Sequence, residues 1–216
     1  MRARSIAFLA AIAVGSAGCM RLGARECCVE CPAPAVVPAL DPDGARLPAA
    51  VTGVADPRAW RVIAIHHSAS AVGGAARFDV WHKAKGWDGV GYDFVIGNGT
   101  DTADGAIETT FRWTEQRDGA HVKGWNDLAI GICLVGNFEE TDPTPAQMAS
   151  LETLVRYLRR RFAVPRQRVV GHGQLGDTQC PGKRLSPKAI AAATDPDGAE
   201  APPTPPNSVG AKKPPP

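Results

Sequence analysis

The residues in this chain best suited to chemistry are three potential metal ligands that follow predicted strands. His66 lies at the end of the β-branched run "RVIAIHH" (61–67), and His172 follows the short apolar run "RVV" (168–170). Cys180 comes eight residues after His172, in the glycine- and proline-broken loop "GHGQLGDTQCPG". Two histidines and a cysteine with an open fourth position form the kind of ligand set that hydrolytic zinc requires, because the metal must also hold water. The spacing leaves a second interpretation open, in which Cys180 is a buried thiol or a disulfide partner.

The segments that must position these residues alternate between strand and helix patterns. Short apolar runs predict buried strands at 61–67, 91–97, 129–136 and 168–170. The stretch "RFDVWHKAKG" predicts a helix that Gly86 ends. This alternation predicts an α/β sheet covered by helices, with the site carried by loops at the strand ends.

The clearest helix pattern follows Thr144, the predicted N-cap. Pro145 suits the first helical position, and Gln147 completes a capping box. The residues predicted to pack on the sheet are Met148, Leu151, Leu154, Val155 and Leu158. The residues predicted to face solvent are Arg156, Arg159, Arg160 and Arg161, near the helix C-terminus where they suit its dipole.

Both ends of the chain are predicted to lie outside the folded domain. Residues 1–18 resemble a bacterial lipoprotein signal, with a positive start, a short apolar run and small residues leading to Cys19. We expect cleavage before Cys19 and a lipid on that cysteine. We therefore also expect a location in the cell envelope, as an outer-membrane lipoprotein facing the periplasm. An ordinary cleaved signal and a secreted soluble protein are the alternative.

Composition sets the expected domain boundaries. Residues 19–56 are punctuated by proline and predict a disordered tether, 57–192 the folded domain, and 193–216 a proline-rich disordered tail. The cysteines in the predicted tether, expected to form local or intermolecular disulfides in an oxidising compartment, are Cys27, Cys28 and Cys31.

Five stretches of the predicted domain carry a resemblance to a known family. They are "IHHSAS", "WHKAKGWDGVGYDFVIGNG", "GAHVKGWNDLAIGICLVGNFEE", "TPAQMASLETLV" and "GHGQLGDTQCPG". In order and spacing they resemble the zinc-dependent N-acetylmuramoyl-L-alanine amidases of the phage-lysozyme type and the peptidoglycan recognition proteins of the same fold. The likeness covers about residues 61–185. It implies a single α/β domain with a central mixed β-sheet flanked by helices, and one zinc ion per chain at the strand ends.

The resemblance also assigns roles to individual residues. Those that match the zinc ligands are His66, His172 and Cys180. Tyr92 matches the catalytic tyrosine of the family, whose hydroxyl can bond the attacking water or the developing oxyanion. Thr178 occupies a second catalytic position, held by lysine in the phage enzymes and by threonine in the recognition proteins that keep amidase activity. His121 matches a histidine at the edge of the site and is expected to contact substrate or the oxyanion.

Three further residues near these motifs are expected to be structural. Some distant relatives carry a glutamate base at the position of Cys133, which here is expected to be a packed core thiol. His67 and His82 match no functional position of the family.

The leading functional hypothesis is a zinc-dependent hydrolase that cleaves the amide bond between N-acetylmuramic acid and L-alanine in peptidoglycan. The alternative is a non-catalytic peptidoglycan-binding module of the same fold, usually marked by loss of the ligand cysteine. A cysteine hydrolase that pairs Cys180 with His172 lacks a convincing orienting group.

The expected partners are peptidoglycan or muropeptides, and a membrane through the N-terminal lipid. A net charge of +2 gives no reason to expect a nucleic acid. No nucleotide is expected, because Phe94 stands where a dinucleotide-binding motif needs glycine. The chain is expected to be a monomer.

Overall fold

The computed structural model describes residues 47–195. The helices are α1 (Ala49–Thr52), α2 (Ala75–Ala84), α3 (Phe111–Thr114), α4 (Pro145–Phe162) and α5 (Pro187–Ala193). The strands are β1 (Val62–His67), β2 (Phe94–Ile96), β3 (Ile107–Thr109), β4 (Ala129–Leu134) and β5 (Val169–Gly171). Short 3₁₀ turns cover Arg166–Arg168 and His172–Gln174. The predicted signal, Cys19, the three tether cysteines and most of the predicted tail lie outside the described residues and stay predictions.

The strands form one mixed sheet in the order β3-β2-β4-β1-β5. β1 lies between β4 and β5 and runs parallel to both, and β2 runs parallel to β4. Only β3 is antiparallel to its neighbour within this sheet. The expected mixed α/β architecture is therefore confirmed, and four parallel strands place their carboxyl ends at one edge of the sheet.

The two faces of the sheet are packed differently. Ile63 and Ile65 of β1 belong to the main core, which contains the buried face of α4. Alternate residues of a strand point to opposite faces, so His66 and Ala64 lie on the other face. There Ala64 belongs to a smaller apolar cluster, and Phe78 of α2 packs in a third cluster against β2 and β4. His66 thus lies on the face opposite the main core, where it is itself buried.

Helix α4 forms as its sequence predicts. The Thr144 side chain accepts a bond from the Gln147 backbone N–H at 3.0 Å, and the Gln147 Oε1 accepts a bond from the Thr144 N–H, which completes the capping box. The Gln147 amide is buried and also donates to the carbonyls of Ile96 and Val135, which ties the start of α4 to the sheet. The buried apolar residues of α4 are Leu151, Leu154, Val155 and Leu158, and Met148 packs at the margin of the core. Truncating such a buried leucine to alanine typically costs about 2–5 kcal/mol.

The prediction that the arginines near the end of α4 face solvent is wrong for Arg159, which is only 6% exposed. Its guanidinium donates to the carbonyl of Ala191 at 2.9 Å, to the Thr194 hydroxyl, and to Asp195 at 2.8 Å. The cause is α5, which no sequence pattern predicted and which packs across this part of α4. The buried guanidinium fits there because several acceptors surround it.

The packed structure also extends beyond the predicted boundaries of 57 and 192. Residues 47–56 were expected in the tether, but Leu47 and Val51 are fully buried in the main core. At the other end, the buried Thr194 donates to the carbonyl of Ile190 and caps α5. Across residues 47–195, none of the helices has the length and apolar character needed to cross a bilayer.

Candidate metal centre

The site is built at the carboxyl ends of two adjacent parallel strands. His66 is the fifth residue of β1, and His172 directly follows β5. Because Ile65 pairs with Gly171 in the sheet, the two histidines come next in register and lie side by side. Their ring centroids are 4.8 Å apart. The pairing of the two strands thus brings the side chains of these two predicted ligands together.

Cys180 reaches the same point from the loop after β5. The loop is closed by a bond from the Gly173 N–H to the Cys180 carbonyl at 2.7 Å. The Cys180 Sγ accepts a bond from the His67 N–H at 3.4 Å, which holds the sulfur against the end of β1. The exposed Thr178 accepts a bond from the Cys180 N–H at 3.2 Å through its hydroxyl. Thr178 therefore shapes the loop, and its hydroxyl hydrogen stays available to another acceptor.

The three side chains fit a single metal ion. One ligand atom from each of His66, His172 and Cys180 lies within 4.8 Å of the others, and this cluster could bind a metal. The Cys180 Sγ and His66 Nδ1 are 3.7 Å apart. Tetrahedral zinc with bonds of about 2.3 Å to sulfur and about 2.05 Å to nitrogen separates such ligands by about 3.6 Å. The donor set and this spacing both suit zinc.

The surroundings of the two histidines favour the neutral imidazole, the form that can bind a metal. Burial, and secondarily the neighbouring histidines, hold the pKa of His66 well below its ordinary value, and burial also lowers the pKa of His172. Both rings are thus neutral, as metal ligation requires. Burial raises the pKa of the Cys180 thiol to about 11. A nucleophilic cysteine needs a lowered pKa, so this environment disfavours the cysteine hydrolase.

Tyr92 lies beside the cluster, with its ring centroid 5.2 Å from that of His66. The strand predicted at 91–97 is shorter in the structure and begins at Phe94, because Gly91 bonds instead to Ala120 and to the His82 ring. Burial, followed by the Cys133 and Cys180 thiols, raises the pKa of Tyr92 well above its ordinary value. The hydroxyl is therefore a neutral phenol that can donate a hydrogen bond.

Cys133, His67 and His82 are packed as expected. Cys133 is fully buried in β4, where its thiol interacts with the Tyr92 hydroxyl. The Nδ1 atoms of His67 and His82 accept bonds from the backbone N–H groups of Phe138 and Gly91, at 3.2 and 3.0 Å.

His121 is not at the open edge of the site, where contact with substrate was expected. Its side chain is fully buried, and its Nδ1 lies 3.1 Å from the Nε2 of His66. Its own Nε2 lies 3.2 Å from the carbonyl of Ala129. Burial lowers the pKa of His121 to about 3, so the ring is neutral. His121 therefore lies behind the candidate ligand His66, away from solvent.

Asp93 is a buried residue of the site region that no sequence motif indicated. It is fully buried, and its Oδ2 accepts a bond from the Gly131 N–H at 2.7 Å and lies 3.9 Å from His121 Nε2. Within the described residues its Oδ1 has no hydrogen-bond partner. Burial raises the pKa of Asp93 to about 7. The only available signal was a charged residue inside the predicted strand "GYDFVIG", since buried aspartates are rare without a partner.

Comparison with known proteins places this fold and site in a family. The family model described as Amidase_2, N-acetylmuramoyl-L-alanine amidase, matches residues 56–183, more than half of the chain. That match contains the three clustered side chains that could bind a metal, His66, His172 and Cys180.

Individual relatives agree with this match. The endolysin of Enterobacteria phage K11 is 34% identical over 106 residues, which cover 47% of this chain and 64% of that protein. Peptidoglycan-recognition protein LB of Drosophila melanogaster is 29% identical over 153 residues, covering 66% of this chain and 62% of that protein. The chain thus spans less than two thirds of the length of these curated relatives.

A solved structure shares the fold as well. N-acetylmuramoyl-L-alanine amidase LysC from Clostridium intestinale URNW superposes with a TM-score of 0.56 at 34% identity, covering 62% of this chain and 83% of that one. Sheet order, ligand cluster and family match agree, and the chain belongs to the N-acetylmuramoyl-L-alanine amidase family.

Proposed function

We propose that this protein is a zinc-dependent amidase that hydrolyses the bond between the lactyl group of N-acetylmuramic acid and L-alanine in peptidoglycan. The observation that carries the proposal is the convergence of His66, His172 and Cys180 at one edge of the sheet, with their ligand atoms within 4.8 Å. The family match, and relatives named as an amidase, an endolysin and a peptidoglycan-recognition protein, support the same reaction and substrate class.

The two histidines and the cysteine would hold the metal. Three protein ligands leave the fourth position of a tetrahedral site open, which distinguishes a catalytic zinc from a structural one. When bound, the zinc supplies Lewis acidity toward the scissile carbonyl and lowers the pKa of a water. The neutral histidines present lone pairs for this purpose, and Cys180 must give up its proton to join them.

Tyr92 and Thr178 supply the hydrogen bonds of the proposed reaction. The Tyr92 hydroxyl is neutral and can donate to the oxygen that gains negative charge. The Thr178 oxygen is occupied by the Cys180 N–H, so its O–H remains free to donate toward substrate. Neither group carries a positive charge, and we therefore propose that both act as hydrogen-bond donors.

Turnover of a soluble N-acetylmuramoyl-L-alanyl peptide tests this proposal. Zinc-loaded protein should release peptides with a free amino-terminal L-alanine, chelation should stop the release, and added zinc should restore it. A Cys180→Ser variant should lose tight zinc binding together with turnover, while Cys31→Ser, outside the family match, should keep both. Binding of the peptide without hydrolysis by the zinc-loaded protein would instead support the non-catalytic peptidoglycan-binding module.

We also propose that this activity serves in the cell envelope, with the mature chain anchored by a lipid on Cys19. The supporting observation is the lipoprotein-like sequence of residues 1–19. Intact-mass measurement of the mature amino terminus should show an acylated cysteine. A mature terminus without lipid would support the secreted soluble form.

A further inference from the structure

Behind the three clustered ligands, a line of hydrogen-bonding groups runs into the protein interior. The His66 ring faces the Cys180 Sγ with Nδ1 at 3.7 Å and faces His121 with Nε2. His121 in turn contacts the Ala129 carbonyl. A metal ion bound by Cys180 would therefore also be bound by Nδ1 of His66. This requires that Nδ1 carries no proton.

The Ala129 carbonyl determines where the protons lie along this line. A carbonyl oxygen only accepts, so the Nε2 of His121 must carry a hydrogen and donate it. A neutral imidazole has one N–H, and burial of the ring disfavours the charged form. The Nδ1 of His121 is therefore an acceptor, and the His66 Nε2, 3.1 Å away, must be the donor. That leaves Nδ1 of His66 as the free lone pair.

The fold holds the His121 ring tightly in this orientation. A Cβ added to Gly131 would lie 2.6–2.8 Å from three of its ring atoms, and one added to Gly119 would lie 2.4–2.5 Å from two of them. The two glycines thus form a slot that admits the flat ring. Asn126 fixes the backbone beside it, because its Oδ1 accepts bonds from the N–H groups of His121 and Val122 at 2.9 and 2.8 Å.

We infer that His121 is a positioning residue that holds His66 in the tautomer and ring orientation required for metal binding through Nδ1. The inference rests on the proposed metal site and not on the identity of the substrate. Hydrogen-bond partners of this kind fix the tautomer of a ligand histidine and affect metal affinity by about 10–100-fold. The role differs from the substrate contact expected for this histidine.

Tautomers of the full-length, metal-free protein test the inference without any variant. Long-range ¹H–¹⁵N correlation spectra of ¹⁵N-histidine-labelled protein distinguish protonated from unprotonated ring nitrogens. His66 and His121 should each be protonated at Nε2 and unprotonated at Nδ1. A His66 protonated at Nδ1, or a doubly protonated His121, would overturn the inference while leaving the amidase proposal open.

Two amide substitutions provide a matched pair for metal affinity. In His121→Asn the side-chain oxygen can take the place of Nδ1 and keep the acceptor toward His66. In His121→Gln the side-chain nitrogen can take the place of Nε2 and keep only the donor toward Ala129. Competition with a chromogenic zinc chelator should show that zinc affinity falls by about 10–100-fold in His121→Gln and by clearly less in His121→Asn.

Thermal melts of the metal-free variants verify that both are folded at the temperature of the titration. Zinc affinity equal to that of the parent in both variants, or an equal loss in both, would overturn the inference, since the acceptor toward His66 would then not matter. These readouts do not depend on hydrolysis. A protein that shows the predicted tautomers and affinities but cleaves no muramoyl peptide would contradict only the proposed function.

Discussion

Replacing Asp93 by asparagine should change how the stability of the domain depends on pH. The carboxyl is fully buried, with one oxygen bonded to the Gly131 N–H and the other without a partner among the described residues. Burial raises its pKa from 3.8 to about 7, so the folded protein holds a proton that the unfolded chain releases between these values. In this window the unfolded state binds fewer protons, and the free energy of unfolding of the parent therefore falls as pH rises.

The size of the effect follows from the pKa difference. A shift of about 3 units at about 1.36 kcal/mol per unit gives a loss of about 4 kcal/mol between pH 4 and pH 8. Asparagine resembles the protonated carboxyl, since it can accept the Gly131 bond and carries no charge. The Asp93→Asn variant should therefore gain about 4 kcal/mol relative to the parent over this range. Titrating groups remote from Asp93 are common to both proteins and cancel in the difference.

Urea unfolding of the metal-free parent and variant at a series of pH values measures this difference. Asp101→Asn is the matched control, because the hydrogen bond from Arg77 holds the pKa of Asp101 below its ordinary value. That variant should lose stability relative to the parent as pH rises from acid to neutral, the opposite sign. The reasoning would be refuted if the free energy of unfolding of Asp93→Asn minus that of the parent were independent of pH or fell as pH rises.

Three further substitutions or treatments probe the site. Tyr92→Phe removes the hydroxyl but keeps the ring, so turnover should fall by about 10²–10³ with zinc content unchanged; an unchanged rate would exclude the hydroxyl from the reaction. Gly131→Ala places a methyl group against the His121 ring, so it should cost about 1–3 kcal/mol in unfolding free energy and weaken zinc binding by chelator competition. Parent-like values of both would show that the ring has room to move. Alkylation mapped by mass spectrometry should leave Cys180 and the fully buried Cys133 unmodified in zinc-loaded protein. Chelation should make only Cys180 of these two reactive, and the labelling is done in alkaline buffer because burial raises the pKa of this thiol to about 11. Equal labelling of Cys180 with and without zinc would contradict its role as a ligand.

The sequence predicted those parts of the fold that are determined locally. Strands β1 and β4 are continuous apolar runs, and α4 begins with Thr144, Pro145 and Gln147, whose capping interactions involve only neighbouring residues. By contrast, α1 and α5 are short segments whose burial depends on distant partners. Val51 lies in the core and Arg159 is covered by α5, and neither fact follows from a local pattern.

The candidate site was predictable to a similar extent. His66 and His172 were predicted to follow strands, and the parallel pairing of β1 with β5 explains why they lie side by side. The resemblance was needed to bring Cys180 to the same point. The position of His121 in the chain was evident, but its direction was not. Its ring is directed inward because Gly131 of β4 and Gly119, two residues before His121, leave a slot for it. This slot exists only once the sheet is assembled.

The central claim is that the cluster of His66, His172 and Cys180 supports hydrolysis of the muramoyl–L-alanine amide bond. Digestion of purified bacterial sacculi by the zinc-loaded, full-length protein, followed by mass spectrometry of the soluble products, tests this claim most directly. The predicted products are stem peptides with a free amino-terminal L-alanine and glycan strands that retain intact lactyl groups, and both should be absent with Cys180→Ser. Products cut at a glycosidic bond or within the stem peptide, or sacculi that bind the protein and remain intact, would contradict the claim.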